Sequence, residues 1–279
     1  MTKRPVIFAV TFLIFTALFN PHLGAQEDRA VIFVTTTSVQ DTGLLDALVD
    51  VFQKETGLIV KPIAVGTGQA LEMGRLGQAD LLWVHSPADE KKLVDEGYGL
   101  GRTTFMHNEF VVLGPKSDPA KAGGIKNAAG AFKKISESKA LFVSRGDNSG
   151  THKKEKAIWQ AAGVAPDKDA YIEVGQGMAK TIMVANEKQG YVLADMSTYL
   201  LLKKSVDLAV VCVGDPALIN YYSLILINPD KFPKVNKQGA RELFDFLLSD
   251  ESRKIVESFG REKFGQQLFF WDLKDTDNK

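Results

Sequence analysis

The sequence has 279 residues, enough for two lobes that each bury a hydrophobic core. It contains 34 basic and 34 acidic residues, so it lacks the basic excess that is typical of nucleic-acid-binding proteins. Its single cysteine, Cys212, excludes an intrachain disulfide, and the apolar stretch around it predicts a buried core residue rather than a nucleophile.

The N-terminus has the pattern of a secretory signal peptide. Lys3 and Arg4 precede an apolar run that extends to Phe19, and a short polar break with small residues follows up to Ala25. The apolar run of about 15 residues is shorter than the roughly 20 that span a bilayer. We therefore predict that residues 1–25 are cleaved and that the mature protein is periplasmic, without a lipid anchor. A retained signal anchor is the alternative.

From Val31 onward, short apolar runs alternate with helical periods, which is the pattern of a mostly parallel sheet with helices on both faces. The first predicted elements are strands at 31–34, 58–66 and 80–85, helices at 44–52 and 67–79, and a helix capped by Ser86 with Pro87 at its first position. After an extended stretch at 108–119, the next are strands at 140–144, 171–175, 191–195 and 207–214, and helices that begin at 150, 177 and 198. A last strand at 221–229 and a long helical tail at 239–259 complete the prediction.

Two extended segments, 109–115 and 221–229, are predicted to cross between two α/β units. Each ends at a proline, which cannot continue a central strand. The fold class predicted is therefore α/β and bilobed, with a discontinuous first lobe formed by residues 26–110 and 224–279 and a second lobe formed by residues 111–223. A ligand cleft is expected between the lobes, at the carboxyl ends of the strands.

Three turns at predicted strand ends carry the residues of a candidate anion site. Hydroxyl groups at 35–38 follow the first strand, and Gly66, Thr67 and Gly68 follow the second. Arg145 follows the first strand of the second lobe and supplies a fixed cationic fork, with Asp147 placed to hold its guanidinium. Each turn leads into a helix, where unpaired N–H groups bind anions. The alternative for any single turn is an ordinary helix cap or a strand-favouring threonine run.

The sequence does not contain a complete nucleotide-binding or catalytic motif. The stretch at 66–71 lacks the third glycine of a dinucleotide fingerprint and the lysine of a phosphate-binding loop. Ser149, His152 and Asp147 crowd one turn, where their side chains diverge, and there is no nucleophile-elbow motif. We predict no enzyme, no catalytic residue, no metal site and no cofactor.

Four segments together resemble the tungstate-binding proteins of bacterial ABC importers, which also bind molybdate in some members. They are TTTS at 35–38, VGTGQAL at 65–71, SRGDNSGTHKKE at 144–155 and YYSLILINP at 221–229, and the resemblance covers the whole mature chain. It implies a type II periplasmic binding protein fold that closes on one oxyanion and docks on a membrane permease with its ATPase. The residues it assigns to the anion are Thr36, Ser38, Thr67, Gly68, Arg145, Ser149 and Thr151, with Ser197 as a less certain contact.

The ligand and role that the resemblance implies have alternatives. Phosphate retains a proton at neutral pH and is best held with a carboxylate acceptor, whereas tungstate and molybdate accept hydrogen bonds only. The nearest carboxylates are Asp41 and Asp147, and Asp147 is better used on Arg145. Sulfate meets the same donor-only criterion as tungstate, and a periplasmic sensor subunit for the same anion is a further alternative. Nothing in the sequence indicates more than a monomer.

Overall fold

The computed structural model describes residues 30–275. In the first part of this range, each strand is followed by a helix. The elements are β1 (Ala30–Thr36), α1 (Thr37–Thr42), α2 (Leu44–Thr56), β2 (Ile59–Val65), α3 (Thr67–Arg75), β3 (Leu81–Val84) and α4 (Pro87–Asp95). β1 lies between β2 and β3 and runs parallel to both. The carboxyl ends of these three strands therefore share one edge of the sheet.

The predicted amphipathic helix at 44–52 is α2. Its apolar residues at a helical spacing, Leu44, Leu45, Leu48, Val49 and Phe52, are all buried. The helix stops at Gly57, whose φ of 69° places it in the left-handed region that a glycine adopts without steric cost. Sequence periodicity and the C-terminal glycine thus locate this helix correctly.

The strand that leaves the first part of the chain is unusually long. β4 (Thr103–Pro115) has 13 residues and ends at the predicted proline. Its first half pairs antiparallel with β9 (Ile219–Leu226), which runs in the opposite direction back into the first part of the fold. Its second half pairs antiparallel with two strands, β7 (Val192–Asp195) and β8 (Leu208–Cys212). The sheet is therefore mixed, because β4 and β9 run antiparallel to each other and β9 also runs antiparallel to β3. Residues 103–109 of β4 pair with residues 219–224 of β9, so the predicted crossing segments 109–115 and 221–229 lie beside other strands for most of their length.

Between β4 and β9 the alternation of strands and helices resumes. The remaining elements there are α5 (Ala128–Glu137), β5 (Phe142–Ser144), α6 (Gly150–Ala161), β6 (Tyr171–Glu173), α7 (Met178–Lys188) and α8 (Met196–Leu202). β5 is parallel to β6 and forms an isolated parallel bridge from Phe142 to Tyr191, next to β7. β5 ends at Ser144, directly before Arg145.

The tail differs from the prediction of one long helical segment without a further strand. It contains α9 (Lys237–Leu247), α10 (Asp250–Ser258), α11 (Arg261–Phe264) and β10 (Phe270–Asp275). Ser249 interrupts the helical run because its hydroxyl caps α10, accepting from the N–H of Ser252 at 3.2 Å. β10 adds to the sheet beside β4, so 221–229 is not the last strand.

Buried apolar side chains separate into two groups along the chain. What we call the first core is drawn from 31–106 and 222–269, and the second core from 110–218. Cys212 lies in the second core, where burial raises the pKa of its thiol, so the predicted structural role is confirmed. The predicted lobe boundaries at 110/111 and 223/224 lie within β4 and β9.

Within residues 30–275, no helix has the length and apolar character needed to cross a membrane. The predicted signal peptide at 1–25 lies outside the described residues.

Candidate functional site

The end of β1 presents hydroxyl groups next to the first core. Thr36 occupies the N-cap position of α1, and Ser38 lies in its first turn; both are buried. Their hydroxyl oxygens are 3.3 Å apart, and the hydroxyl of Ser38 is 3.4 Å from that of Tyr222 on β9. Thr35 is different, because its hydroxyl donates to the carbonyl of Trp83 at 3.1 Å and so joins β1 to β3.

The end of β2 supplies a second hydroxyl, on Thr67 at the start of α3. Its side chain is completely buried, and its Oγ1 has no hydrogen-bond partner among the described residues. A buried hydroxyl without a partner costs about 1–3 kcal/mol. This cost is removed if a ligand accepts the hydrogen bond, so Thr67 indicates a binding site at this strand end.

Arg145 is anchored on the turn that follows β5. Its side chain is buried, and Nε donates to Oδ2 of Asp147 at 2.9 Å and to the carbonyl of Gln176 at 3.3 Å. Asp147 therefore orients the guanidinium, as the sequence predicts. Both bonds use Nε, which leaves the two terminal amino groups of the guanidinium as donors toward a ligand.

The same turn leads into α6. Ser149 is the N-cap of α6, and its hydroxyl accepts from the N–H of His152 at 3.3 Å. The ordinary capping role is therefore present, but the hydroxyl proton of Ser149 can still be donated to another acceptor. Oδ1 of Asp147 accepts from the N–H of Ser149 at 3.0 Å, and Thr151 is buried in the first turn of α6.

Residues attached to the two cores meet across this site. A methyl group added at Gly150 would lie 2.5 Å from Cε1 of His85, and one added at Gly68 would lie 3.5 Å from the carbonyl oxygen of Asn148. Asp41 on α1 is close enough to Arg145 and Asp195 for their charges to affect its pKa. The three strand-end turns therefore come together, and six of the seven predicted site residues are buried, Gly68 being half-buried.

A side-chain ion pair also joins the two sides of the site. Nζ of Lys153 on α6 binds Oδ2 of Asp89 on α4. Ser86 is at the predicted N-cap position of α4, but its hydroxyl donates to Asp89 at 2.5 Å instead of capping the helix. Burial alone would raise the pKa of Asp89, but the hydrogen bonds from Lys153 and Ser86 outweigh it and the pKa is lowered.

A buried polar group at the junction of β3, β4 and β9 was not predicted from the sequence. Nδ1 of His85 lies 3.0 Å from Oδ1 of Asn220, and Nδ2 of Asn220 donates to Oδ1 of Asn108 at 2.7 Å. Burial is the main cause that lowers the pKa of His85 to about 4, so the imidazole is neutral. His85 directly follows the third parallel strand, so the strand-end argument could have found it. The two asparagines become neighbours only through the pairing of β4 with β9.

Ser197 is poorly suited to donate a side-chain hydrogen bond to an anion. Its hydroxyl donates to Oδ1 of Asp195 at 2.5 Å, which uses its only proton. Asp195 is the N-cap of α8 and also accepts from the N–H of Thr198 at 2.9 Å. The carboxylate of Asp195 is thus satisfied by its own helix.

The histidine of α6 is not arranged as a catalytic base for Ser149. Nδ1 of His152 accepts from the N–H of Asn148 at 3.0 Å, which assigns the ring proton to Nε2. Nε2 faces Oε1 of Glu173 at 3.8 Å. Within residues 30–275, no group of His, Cys, Asp and Glu side chains is arranged to hold a metal ion. The site therefore offers buried hydroxyl donors and one oriented guanidinium, which suit a small oxyanion.

Comparisons with known proteins agree with this chemistry. The PBP superfamily domain matches residues 23–251. The tungstate-binding protein TupA of Peptoclostridium acidaminophilum is 44% identical over 246 residues, which are 88% of this chain and 86% of that protein. The solved structure of the tungstate-binding protein TupA from Desulfovibrio alaskensis G20 has a TM-score of 0.77 and 42% identity, covering 88% of this chain and 99% of that chain.

A second solved structure, of the tungstate ABC transporter from Geobacter sulfurreducens, has a TM-score of 0.76 and 42% identity, covering 83% of this chain and 99% of that chain. These matches confirm the resemblance and the fold class predicted from the sequence. The chain belongs to the PBP superfamily and, within it, to the family of the tungstate-binding TupA proteins.

Proposed function

We propose that this protein is a periplasmic solute-binding protein that captures tungstate and delivers it to an ABC permease and its ATPase. The observation that carries the proposal is the donor set of the site. Thr67 holds a buried hydroxyl that has no partner within residues 30–275, and Arg145 holds a buried guanidinium oriented by Asp147. Tungstate is fully deprotonated at neutral pH, so it accepts hydrogen bonds from every one of these donors. The names of the relatives support the same ligand.

The ligand residues proposed are those that the family resemblance implies: Thr36, Ser38, Thr67, Gly68, Arg145, Ser149 and Thr151. A dianion buried there has its charge distributed over several O–H and N–H donors and one guanidinium. This distribution is needed because an unpaired buried ion costs several kcal/mol. Molybdate has the same charge and shape as tungstate and is the second ligand that this donor set favours.

Phosphate is disfavoured by the lack of a suitable acceptor. Its remaining proton is best held by a carboxylate acceptor, and the carboxylate of Asp147 is engaged by Arg145 and by the N–H of Ser149. Asp41 is exposed rather than buried among the proposed donors. Sulfate carries no proton and differs from tungstate in size. A sensor subunit for the same anion differs in its membrane partner rather than in its site.

The proposed mechanism is closure of two lobes. Residues 26–110 with 224–279 form the first lobe and residues 111–223 form the second, so that β4 and β9 act as the hinge. The anion binds first to one lobe, and the second lobe then covers it. No covalent step is involved, and the arrangement of His152 toward Asn148 and Glu173 supports a binding protein rather than a hydrolase. We propose that it acts as a monomer.

Native mass spectrometry of residues 26–279 tests the ligand. The protein is mixed with equimolar tungstate, molybdate, phosphate and sulfate and desalted before measurement. The expected result is one tungstate per chain, with molybdate as the competitor. A phosphate or sulfate adduct in place of tungstate would contradict the proposal, as would no adduct at all. Stimulation of the ATPase of the reconstituted transporter by the tungstate-loaded protein tests delivery and separates transport from sensing.

A further inference from the structure

Directly behind the turn of Arg145 lies a buried carboxylate that makes no contact assigned above. Glu155 is in the second turn of α6 and is 1% exposed. Oε2 accepts from the hydroxyl of Ser144 at 2.7 Å. Oε1 accepts from the hydroxyl of Tyr171 at 2.7 Å and from Nε1 of Trp159 at 3.2 Å. One side chain thus joins the end of β5, the start of β6 and the body of α6.

The bond to Ser144 continues into the turn itself. The hydroxyl of Ser144 accepts from the N–H of Gly146 at 3.2 Å and donates to Glu155, so it joins both sides of Arg145 to α6. The carbonyls of Ser144 and Arg145 accept from the N–H groups of Val174 at 3.0 Å and Gly175 at 2.9 Å.

The effect of Glu155 on an anion cannot be electrostatic attraction. Its three donors are neutral, and within residues 30–275 no lysine or arginine forms an ion pair with it. A negative charge behind an anion site opposes anion binding. Burial is the main cause that raises the pKa of Glu155, against the hydrogen bonds from Tyr171, Ser144 and Trp159. Whatever Glu155 contributes to binding must therefore come from geometry.

We propose that Glu155 is a positioning residue of the oxyanion site, acting through the hydroxyl of Ser144 to fix the backbone from which Arg145 projects. Asp147 orients the guanidinium, and Glu155 holds the turn that carries it. A buried carboxylate with three donors is well suited to this role, because loss of any one bond leaves a buried polar group unpaired. The inference rests on the proposed function, since its main readout is tungstate affinity.

Two variants and one control separate this role from general stabilisation. Glu155→Gln replaces one carboxylate oxygen with an amide NH2, which cannot accept, so the donors at one of the two oxygen positions lose their acceptor. Ser144→Ala removes only the hydroxyl that joins Glu155 to the turn of Arg145. Tyr171→Phe removes the other 2.7 Å bond to the same carboxylate and keeps the bond between Ser144 and Glu155. Each protein is measured by calorimetric titration with tungstate and by thermal unfolding, and Glu155→Gln is also made in an Arg145→Lys background.

The expected result is a loss of tungstate affinity of about tenfold in Glu155→Gln and Ser144→Ala, and of less than twofold in Tyr171→Phe, although Tyr171→Phe also lowers the unfolding temperature. In the Arg145→Lys background, Glu155→Gln is expected to change the affinity by less than twofold. Glu155 acts on the anion through Arg145, so its effect is lost when the guanidinium is absent. Hydrogen exchange of the Gly146 amide in the ligand-free protein is expected to accelerate in Glu155→Gln and Ser144→Ala only.

Affinity losses that follow the unfolding temperature equally in all variants would overturn the positioning role, as would unchanged affinity and exchange in both turn variants. If wild-type protein does not bind tungstate, the proposed function fails. The exchange of the Gly146 amide then still decides whether Glu155 holds the turn.

Discussion

Nε of Arg145 donates to Oδ2 of Asp147 at 2.9 Å, between two residues of one turn. Because Nε is engaged, the terminal amino groups of the guanidinium have a defined direction. The same aspartate accepts from the N–H of Ser149 with its other oxygen, at 3.0 Å, so the side chain of Arg145 and the start of α6 are fixed relative to each other. Among the proposed ligand residues, Arg145 is the one whose side chain carries a positive charge that attracts an anion.

Replacement of this arginine tests its share of the binding energy. Arg145→Ala is expected to weaken tungstate binding by about 2–5 kcal/mol, the range for truncating a buried hydrogen-bonded charge partner. Calorimetric titration measures the change, and Arg241→Ala is the matched control because Arg241 is exposed and pairs with Asp245 within α9. An affinity loss below tenfold would remove Arg145 from the site.

Thr67 and Thr35 are both fully buried threonines at strand ends and should respond in opposite ways to replacement by valine. Thr67→Val removes a hydroxyl that has no partner in the described part of the chain, so the ligand-free protein should gain about 1 kcal/mol in free energy of unfolding while tungstate affinity falls about tenfold or more. Thr35→Val removes the donor to the carbonyl of Trp83, so stability should fall by about 1 kcal/mol with affinity unchanged. Denaturant unfolding and titration of both variants check the prediction. Equal effects of the two substitutions would contradict it.

A methyl group at Gly150 should prevent the two sides of the site from meeting. It would lie 2.5 Å from Cε1 of His85, and overpacking of this kind costs about 1–3 kcal/mol. We expect Gly150→Ala to weaken tungstate binding about tenfold or more and to abolish the decrease in radius of gyration on tungstate addition, measured by small-angle X-ray scattering. Gly177→Ala is the control, because no atom lies within 4 Å of its added methyl group. Compaction of Gly150→Ala equal to wild type would exclude the contact as a closure surface.

The ion pair of Lys153 with Asp89 should slow tungstate release. Both side chains are partly exposed, so the pair is worth about 0.2–1 kcal/mol, and Lys153→Met should increase the dissociation rate about two- to fivefold. Stopped-flow measurement at low and high salt checks this, since salt screens a partly exposed pair and should make the variant and wild type converge. Lys134→Met is the control, because Lys134 pairs with Glu137 inside α5. A salt-independent difference would indicate another cause.

The low pKa of His85 predicts a specific dependence of stability on pH. Its folded-state pKa of about 4 lies below its ordinary value of 6.5, so between these values the unfolded chain binds a proton that the folded chain does not. The contribution of His85 to stability therefore falls as the pH falls from 6.5 to 4, by at most about 1.4 kcal/mol per pH unit. Unfolding of wild type and His85→Asn across this range should give a difference that shrinks toward acid pH. A constant difference would show that His85 titrates normally.

The fold was largely predictable because its strands and helices follow simple local rules. Apolar periodicity located α2, and glycine at 57 marked its end. β10 was missed because its six residues include two aspartates and a lysine and follow a helical run, and it becomes a strand only by pairing with β4. The local sequence of β10 does not indicate its pairing with β4.

The candidate site was predictable to the extent that its residues follow strand ends. Arg145 and Thr67 were found in this way, and the orienting role of Asp147 follows from its position two residues after the arginine. Glu155 closes the motif at 144–155, but its bond to Ser144 was not predicted, and neither was the contact of Tyr222 with Ser38, 184 residues away on α1. Such contacts depend on how whole elements pack.

Calorimetric titration of residues 26–279 with tungstate, molybdate, phosphate and sulfate, followed by competition, tests whether the site binds a fully deprotonated oxyanion. We expect tight binding of one tungstate per chain, displacement by molybdate, and no heat from phosphate or sulfate. Tight phosphate binding would mean that Asp41 or Asp147 acts as a proton acceptor in the site. The absence of binding by all four anions would contradict the oxyanion site itself.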